Sequence, residues 1–275
     1  MKKRHPGRFN TGSLLIAAVI FLAINFNIEA GGKTQKQNAI LTIGATIVPH
    51  AVLLNLVKDD MAARGITLNV VEFADYMQPN IALINGDLDA NFSQHLMYLE
   101  ENNEWSQKLV SVFEVHIEPF GLYSARYKNI NDLPNGSTIA IPNDPTNCGR
   151  ALLLLEANGL ITLREGAGIT ATPRDITSNP KSFRFRELEV ALLPRALEDV
   201  AAATINGNFA LQAGFNPLSD SLIIEGAESP YVNIVAVRRG SEKDSKILAL
   251  RDVLLSSKVR DFIHRNYGGG VIPVF

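Results

Sequence analysis

Short apolar runs alternate with amphipathic segments along this chain, and the alternation limits the folds that are open to it. The run AILTIGATI, residues 39–47, has the composition of a buried strand, and apolar side chains recur at helical spacing in residues 50–65. The pattern restarts with a strand at residues 137–142 and a helix at residues 149–159. Such alternation predicts parallel sheets covered by helices. Two units in series and a closing helical tail predict an α/β chain with two lobes, a ligand cleft between them and closure of the cleft as its motion.

The same pattern predicts where the lobes begin and end. We expect residues 39–122 and residues 234–275 to form lobe 1, because a closing tail of this kind returns to the first lobe. Residues 123–233 then form lobe 2. A chain of 275 residues with 46% hydrophobic and 20% charged residues is large enough for two lobes.

The first thirty residues have a different character. Four basic residues within the first eight precede an unbroken apolar run at residues 14–24, and a small residue, Ala30, follows. This order predicts a signal peptide at residues 1–30 and an exported protein, in the periplasm or at the outer face of the cell membrane. The run is short for a membrane span, which needs about 20 residues, and an N-terminus kept as an anchor is the alternative. The single cysteine, Cys148, lies far downstream, so no lipid-acceptor cysteine follows the signal segment.

Charge and motif content exclude several classes of function. Without residues 1–30 the formal charge changes from −2 to −5, and an acidic chain without a basic stripe predicts no nucleic-acid partner. The five histidines have no metal-ligand spacing, and the sequence has neither a nucleophile elbow nor a zincin motif. We therefore expect no metal, no cofactor and no enzymatic activity.

The stretch IPNDPTNCGR places Arg150 in the predicted first turn of an apolar helix, where the helix dipole disfavours a cation. A strand that ends at Pro142, a turn rich in side-chain oxygens and a helix N-terminus predict that free backbone N–H groups and Arg150 converge on an anion. The guanidinium group matches a carboxylate in bidentate fashion. The alternative is an arginine that extends to solvent or pairs with a nearby acid. With only Gly149 and no Lys-Ser/Thr ending, the stretch does not predict a phosphate loop.

Two further groups of side chains are candidates for a binding site. Tyr76, His95 and Tyr98 could form a flat, partly polar wall for an apolar or thioether side chain, with His95 and Tyr98 on one face of a predicted helix. Asn206 and Asn233 lie at strand ends, where their amide oxygens could accept hydrogen bonds from an ammonium group. Core packing and turn asparagines are the alternatives.

Cys148 keeps a thiol-dependent enzyme open as an alternative. A cysteine beside a helix N-terminus can have a lowered pKa. A buried cysteine that packs as a small hydrophobic residue explains the sequence equally well.

The chain resembles the methionine-binding lipoprotein family, the NlpA-type substrate-binding components of methionine ABC importers. The resemblance extends from about Leu41 to the C-terminus. The motifs that carry it, in chain order, are DYMQPN, GDLDAN, QHLMYL, IPNDPTNCGRALLLL, ELEVALLPRALED, TINGNFA and ESPYVN.

This resemblance implies a two-lobed periplasmic-binding-protein fold whose cleft holds a methionine zwitterion, or a related apolar amino acid, for delivery to an ABC permease of the inner membrane. It implies a monomer without a cofactor. By position in the motifs, Arg150 would bind the ligand carboxylate. The other implied contacts are Asn147, Asn206 and Asn233 on the charged groups of the ligand, and Tyr76, His95 and Tyr98 on its side chain.

One departure from the family pattern concerns the side-chain pocket. The family usually has an aromatic residue directly before the Gln-His pair, whereas this chain has Ser93 there and Phe92 one place earlier. On a strand, a shift of one residue changes the face. An exported binding or adhesin-like protein of the same fold with an altered ligand is therefore the alternative function.

Overall fold

The computed structural model describes residues 39–226 and 228–275. The predicted signal peptide, residues 1–30, lies outside the described residues. None of the described helices combines the length and the apolar character that a membrane crossing requires.

The described chain forms two main sheets, which a small hairpin accompanies. The first sheet has the strand order β13-β4-β12-β3-β1-β2, the second has the order β11-β5-β10-β6-β9, and the hairpin pairs β7 with β8. The strands are β1 (Ala39–Thr46), β2 (Ile66–Phe73), β3 (Ala90–His95), β4 (Leu109–Ile117), β5 (Gly121–Tyr123), β6 (Thr138–Pro142), β7 (Thr162–Leu163), β8 (Ile176–Ser178), β9 (Arg184–Leu188), β10 (Ala202–Ile205), β11 (Ser221–Ile224), β12 (Val232–Arg238) and β13 (Ile272–Pro273).

Helices connect and cover the strands. They are α1 (Val52–Leu56), α2 (Lys58–Ala63), α3 (Gln78–Asn85), α4 (Leu96–Glu101), α5 (Asn103–Lys108), α6 (Pro145–Ala157), α7 (Leu193–Ala196), α8 (Gly207–Gln212), α9 (Pro217–Asp220), α10 (Ser245–Leu254) and α11 (Ser257–Tyr267). Short single-turn segments, among them Ile47–Ala51 and Val190–Leu192, extend some of these helices.

The strand-helix alternation predicts parallel sheets, whereas both main sheets are mixed. Strand β1 pairs in parallel with β2 and β3, but β12 runs antiparallel to both β3 and β4. In the second sheet, β6 is parallel to β9 and β10, whereas β5 is antiparallel to β10 and β11. Strands β5 and β12, which run against their neighbours, each follow a passage between the sheets directly, without a helical crossover, whereas β13, which is antiparallel to β4, follows α11.

Each main sheet has its own apolar core. Leu41, Ile43 and Phe92 of the first sheet are fully buried against helices that include α1, α2 and α10. In the second sheet, Ile139 and Ile141 pack against the apolar face of α6. Two apolar cores are what a two-lobed chain requires, because each lobe must bury its own sheet.

The chain passes between the sheets twice. Residues 118–120 connect β4 of the first sheet to β5 of the second, and residues 225–231 connect β11 back to β12. The lobe boundaries that the sequence predicts, after residues 122 and 233, stay a prediction. Both passages carry acidic side chains, Glu118 and Glu225, that bear on the site described next.

Helix α6 begins earlier than the sequence pattern predicts. Asp144 is its N-cap, and its Oδ1 accepts a hydrogen bond from the backbone N–H of Asn147 at 2.9 Å. Pro145 occupies the first helical position, where a missing N–H costs nothing. Gly149 lies in the second turn because the helix packs on a neighbouring segment, where an added Cβ would come within 2.0 Å of the carbonyl oxygen of Ile169.

Candidate ligand site between the two sheets

A cavity lies where the two sheets meet. Its walls come from the ends of β3, β4 and β10, the start of β12 and helices α4 and α6. It has a volume of about 10 Å³ for the centre of a water molecule, which is roughly one water site. The residues that line it are Tyr76, Ser93, Gln94, His95, Tyr98, Glu118, Asn147, Arg150, Asn206, Gly207 and Asn233.

The structure brings together every residue that the sequence predicts for ligand binding. Tyr76, His95 and Tyr98 come from the first part of the chain, and Asn147, Arg150, Asn206 and Asn233 come from the second. Their contacts with a ligand stay a prediction.

Arg150 does not lie in the first turn of its helix, so the predicted conflict with the helix dipole is wrong. Helix α6 begins at Pro145, which places Arg150 in the second turn. The predicted supply of free backbone N–H groups is also reduced. Pro145 has no N–H, and the carboxylate of Asp144 accepts from the N–H of Asn147. The helix N-terminus therefore has an anion of its own.

The positive charge of Arg150 is matched by Glu225, which the sequence analysis did not identify. Nε of Arg150 donates to Oε1 of Glu225 at 2.7 Å, and Nη2 donates to Oε2 at 2.5 Å. Nη2 also donates to the backbone carbonyl oxygen of Glu118 at 3.1 Å. Among the described residues Nη1 has no acceptor within hydrogen-bonding distance, and Arg150 lines the cavity. Two N–H groups of Nη1 are thus the donors that remain for a ligand carboxylate.

Two aromatic rings pack against the guanidinium group of Arg150. Its central carbon lies 4.1 Å from the ring centroid of Tyr231 and 4.9 Å from that of Phe120. Cation–π contacts of this kind gain strength where water is excluded, and only 4% of the Arg150 surface is exposed.

Asn147 positions other groups of the site. Its Nδ2 donates to both carboxylate oxygens of Asp144, at 2.9 and 3.2 Å. Its Oδ1 accepts from Nδ2 of Asn206 at 2.8 Å and lies 3.4 Å from Nε2 of His95. Asn206 is therefore oriented with Oδ1 as its unused group, and this buried oxygen has no partner among the described residues. An ammonium group could supply the missing donor.

His95 is the last residue of strand β3. The sequence analysis expected His95 and Tyr98 to share one face of a helix, and this expectation is wrong. His95 is the N-cap of α4, and its Nδ1 accepts from the backbone N–H of Tyr98 at 3.1 Å. This bond places the ring proton of the neutral imidazole on Nε2, which faces Asn147. Burial, and secondarily the charge of Arg150, lowers the pKa of His95 to about 3. His95 is therefore a neutral donor at physiological pH.

Aromatic rings form one wall of the cavity. The hydroxyl group of Tyr76 donates to Oδ1 of Asn208 at 2.5 Å. The Tyr76 ring centroid lies 5.7 Å from that of Tyr98 and 5.3 Å from that of Phe209. Burial raises the pKa of Tyr76, so its hydroxyl stays protonated. This wall is mainly apolar and suits an apolar or thioether side chain.

Ser93 faces the cavity and Phe92 does not. Phe92 packs into the core of the first sheet, with its ring centroid 4.5 Å from that of His50. Ser93 lines the cavity, and its buried hydroxyl oxygen has no partner among the described residues. Adjacent strand residues point to opposite faces, so the one-residue shift in the sequence puts a small hydroxyl where a large ring would otherwise stand.

Glu118 lines the cavity, and the sequence analysis did not identify it. Its Oε2 accepts from the backbone N–H of Asn208 at 3.0 Å, and its Oε1 lies 2.7 Å from Nε2 of His116. Burial raises the pKa of Glu118, while His50, the bond to Asn208 and Arg150 act in the opposite direction. Gly207, the first residue of α8, lets this helix approach the passage at residues 118–120, because an added Cβ would lie 2.8 Å from Cβ of Glu118. A polar residue between an apolar strand and a proline, as in HIEP, was the available signal.

Asn233 joins the cavity to a buried histidine. Its Oδ1 lies 3.1 Å from Nε2 of His50, whose Nδ1 lies 2.7 Å from the hydroxyl oxygen of Thr46. Since an amide oxygen only accepts, His50 carries its proton on Nε2 and accepts from Thr46 at Nδ1. Asn233 is thus oriented with its oxygen toward His50.

Cys148 lies in the apolar core of the second sheet and does not line the cavity. Burial raises the pKa of its thiol to about 12. The reactive thiolate is therefore scarce at neutral pH, which disfavours a thiol-dependent enzyme.

Comparison with known proteins places the chain in a family. The model of the family described as NlpA lipoprotein matches residues 41–275. This chain belongs to the NlpA lipoprotein family.

Relatives of this NlpA protein share its full described length. It is 40% identical over 269 residues to the methionine-binding lipoprotein MetQ of Bacillus subtilis, an alignment that covers 95% of this chain and 96% of the relative. A nutrient-binding protein from Burkholderia cenocepacia, solved bound to methionine, is 40% identical with a TM-score of 0.82, covering 86% of this chain and 100% of that one. An ABC-transporter periplasmic substrate-binding protein from Coxiella burnetii is 41% identical with a TM-score of 0.81, covering 85% and 100%.

These similarities establish the fold class of this NlpA protein. It is an α/β protein with the two-lobed fold of MetQ-type binding proteins. Two of its relatives are named as a methionine-binding and a D-methionine-binding lipoprotein, and another is named as a membrane lipoprotein.

Proposed function

We propose that this protein binds methionine, or a related apolar amino acid, in the cavity between its sheets and delivers it to a membrane permease. The observation that carries the proposal is the placement of complementary groups around one small cavity. Nη1 of Arg150 offers N–H donors, Oδ1 of Asn206 offers an unused acceptor, and Tyr76 and Tyr98 offer an apolar wall. An amino acid presents the matching carboxylate, ammonium and side chain.

The charges around the cavity favour a zwitterion over a free acid. Glu225 neutralises Arg150, while Glu118 lines the cavity and Asp144 caps the adjacent helix. A ligand with a carboxylate alone would enter a region whose net charge is negative. A zwitterion adds an ammonium group that the acidic side chains attract. Arg150 then acts on the carboxylate through directed hydrogen bonds more than through net charge.

The size of the cavity implies that the lobes separate when a ligand enters. A volume of about 10 Å³ for the centre of a water molecule has no room for an amino acid. The two passages at residues 118–120 and 225–231 are the hinge candidates, because all chain connections between the main sheets run through them. Hinge motion around a ligand is the general behaviour of two-lobed binding proteins.

The other parts of the proposal concern the setting of the protein. We infer that it is exported, acts as a monomer at the outer face of the cell membrane, presents its closed form to an ABC permease and has no enzymatic activity. Relatives named as a methionine-binding lipoprotein and as a component of an ABC transporter support this inference.

Calorimetric titration with a panel of amino acids tests the proposal. The protein is first partly unfolded and refolded to remove ligand that was purified with it, and is then titrated with L-methionine, D-methionine, leucine and glutamine. We expect the tightest binding for methionine and a loss of roughly 1–3 kcal/mol in Asn206→Ala, because the ligand ammonium loses a buried acceptor. Asn131→Ala, at an exposed position, is the matched control. No measurable binding of any amino acid in the panel would contradict the proposal.

Ser93 favours a second candidate function, an exported binding protein of the same fold with a different ligand. Its unpartnered hydroxyl lies where the resemblance places an aromatic residue. In the same titration, a preference for an amino acid other than methionine would support this candidate.

A further inference from the structure

Three buried side chains converge beside the cavity, although no spacing in the sequence connects them. His50, His116 and Glu118 each direct one possible ligand atom to a common point, and these atoms lie within 4.8 Å of one another. The exposed fractions of the three residues are 1%, 0% and 5%. Two imidazoles and one carboxylate form a donor set that divalent transition metals, Zn²⁺ above all, accept readily.

From this convergence we propose a binding site for one divalent transition-metal ion, with His50, His116 and Glu118 as its protein ligands. Oε1 of Glu118 lies 3.4 Å from Nε2 of His50 and 2.7 Å from Nε2 of His116. Two ligand atoms on one tetrahedral Zn²⁺ are about 3.3 Å apart, given bond lengths of about 2.0–2.2 Å. The His50–Glu118 pair has about that separation. A small rotation of the Glu118 carboxyl group would lengthen the His116–Glu118 distance to the same value.

Asn233 supplies a fourth ligand atom, an oxygen. Its Oδ1 lies 3.1 Å from Nε2 of His50, on the side of the cluster that faces the cavity. A four-coordinate ion would thus have two nitrogen and two oxygen ligands. Glu118 and Asn233 both line the cavity, so an ion can enter from there.

Groups around the cluster hold the ligands in orientation. The Thr46 hydroxyl lies 2.7 Å from Nδ1 of His50, and the backbone N–H of Asn208 donates to Oε2 of Glu118. The ring of Phe92 stands edge-on against both histidines, with centroid separations of 4.5 and 5.4 Å. Partners of this kind fix ring orientation in metal sites and contribute to metal affinity.

Metal binding changes the proton positions on the two histidines. In the hydrogen-bonded arrangement, Nε2 of His116 donates to Oε1 of Glu118, and Nε2 of His50 donates to Oδ1 of Asn233 with Oε1 of Glu118 3.4 Å away. A metal ion needs those lone pairs, so each proton moves to Nδ1 of the same ring. The Thr46 hydroxyl then accepts from His50, whereas Nδ1 of His116 has no partner among the described residues in either arrangement. His116 therefore has no hydrogen bond at Nδ1 that metal binding would break.

Titration of the purified protein, without a histidine tag, tests the site. Zn²⁺ affinity is measured by competition with a chromophoric chelator, and Co²⁺ binding is followed by its visible absorption. We expect one Zn²⁺ per chain and a Co²⁺ spectrum typical of low coordination number. His116→Gln keeps a hydrogen-bond donor toward Glu118 but removes the ligand, so Zn²⁺ affinity should fall by more than about 100-fold. Thr46→Val should lower it by about 10–100-fold through loss of the outer partner.

His264→Gln, at an exposed histidine in α11, is the matched control and should leave Zn²⁺ affinity unchanged. If His116→Gln does not fold, Glu118→Gln replaces it, and the spectrum of the Co²⁺ complex of the parent protein still reports the ligand set. Absence of saturable Zn²⁺ binding, or equal losses in His116→Gln and His264→Gln, would overturn the proposal.

Discussion

The guanidinium group of Arg150 and the carboxylate of Glu225 form a two-point ion pair at the wall of the cavity. The contacts are 2.7 Å from Nε to Oε1 and 2.5 Å from Nη2 to Oε2. Glu225 lies in the passage from β11 to β12 and also accepts from the backbone N–H of Phe120 in the other passage. One acid therefore fixes the ligand-facing edge of Arg150 and ties the two hinge candidates together.

Loss of this acid should destabilise the fold. Only 4% of the Arg150 side chain and 12% of the Glu225 side chain are exposed, so Glu225→Gln leaves a buried cation without its counter-charge. We expect the free energy of unfolding to fall by about 3–5 kcal/mol. Urea denaturation measures the change, with Glu228→Gln, at an exposed position in the same passage, as the control. Equal stability of the two variants would show that the pair contributes nothing.

Removal of Arg150 should weaken ligand binding. Arg150→Ala leaves the ligand carboxylate without its donors, which should cost roughly 2–5 kcal/mol of binding free energy. Calorimetric titration with methionine measures the loss, and Arg174→Ala, at an exposed position, is the matched control. Unchanged affinity in Arg150→Ala would refute the assignment of Arg150 to the carboxylate.

Asp144, the N-cap of α6, should contribute both to the stability of the fold and to ligand binding. Asp144 caps the helix and also holds Nδ2 of Asn147. Asp144→Ala should lower the free energy of unfolding by about 1–2 kcal/mol and weaken ligand binding, since Asn147 no longer fixes Asn206. Asp144→Asn retains a capping oxygen and should lose less of both. Urea denaturation measures the stability of the two variants, and calorimetry measures their ligand affinity. Equal losses of stability and affinity in Asp144→Ala and Asp144→Asn would contradict the role of the capping oxygen.

Substitution of Ser93, unlike that of Asp144 or Glu225, should not destabilise the fold, because its hydroxyl has no partner among the described residues. A buried hydroxyl without a hydrogen bond carries a desolvation penalty. Ser93→Ala should therefore leave the free energy of unfolding unchanged or raise it by up to about 1 kcal/mol. Thermal or urea unfolding tests this, and a loss of more than about 1 kcal/mol would mean that the hydroxyl has a partner in solution.

His95 should make stability depend on pH. Its pKa in the folded protein is about 3, below its ordinary value of 6.5, so below pH 6.5 the unfolded chain binds a proton that the folded protein excludes. The contribution is fully present above pH 6.5 and is lost as the pH falls. Between pH 6.5 and 5 it amounts to about 2 kcal/mol.

The measurement compares urea unfolding at these two pH values, with a chelator present so that bound metal does not contribute. His95→Gln should make the dependence less steep by about the contribution of one proton, whereas His264→Gln should leave it unchanged, because His264 is exposed. A dependence should remain in His95→Gln, because burial also lowers the pKa of His50 to about 4 and that of His116 to about 3. An equally steep dependence in His95→Gln would contradict the buried, neutral state of His95.

Local patterns predicted the α/β class and, together with the family resemblance, named seven residues that line one cavity, but they did not predict the bonds among these residues. The strand and helix periodicity of residues 39–65 and 137–159 corresponds to β1, α1, α2, β6 and α6. The sequence pattern places the start of α6 too late, because residues 143–147 are typical of a turn, although Asp-Pro at positions 144 and 145 is an N-cap signal. His95 was placed on a helix because the sequence does not show that β3 continues through it.

Glu118 and Glu225 could not be recognised from local sequence. Each lies in an irregular passage between the sheets, and its partner is distant in the chain, as Arg150 is for Glu225. The same holds for His50 and His116, which only the antiparallel return of β12 beside β3 and β4 brings to one place. Long-range pairing of this kind is set by topology, which periodicity does not encode.

A crystal structure of the protein grown with methionine tests the central claim most directly. The account predicts one methionine between the two sheets, with its carboxylate on Nη1 of Arg150, its ammonium on Oδ1 of Asn206 and its side chain against Tyr76 and Tyr98. Methionine elsewhere on the protein, or in the cavity with its carboxylate away from Arg150, would contradict the account.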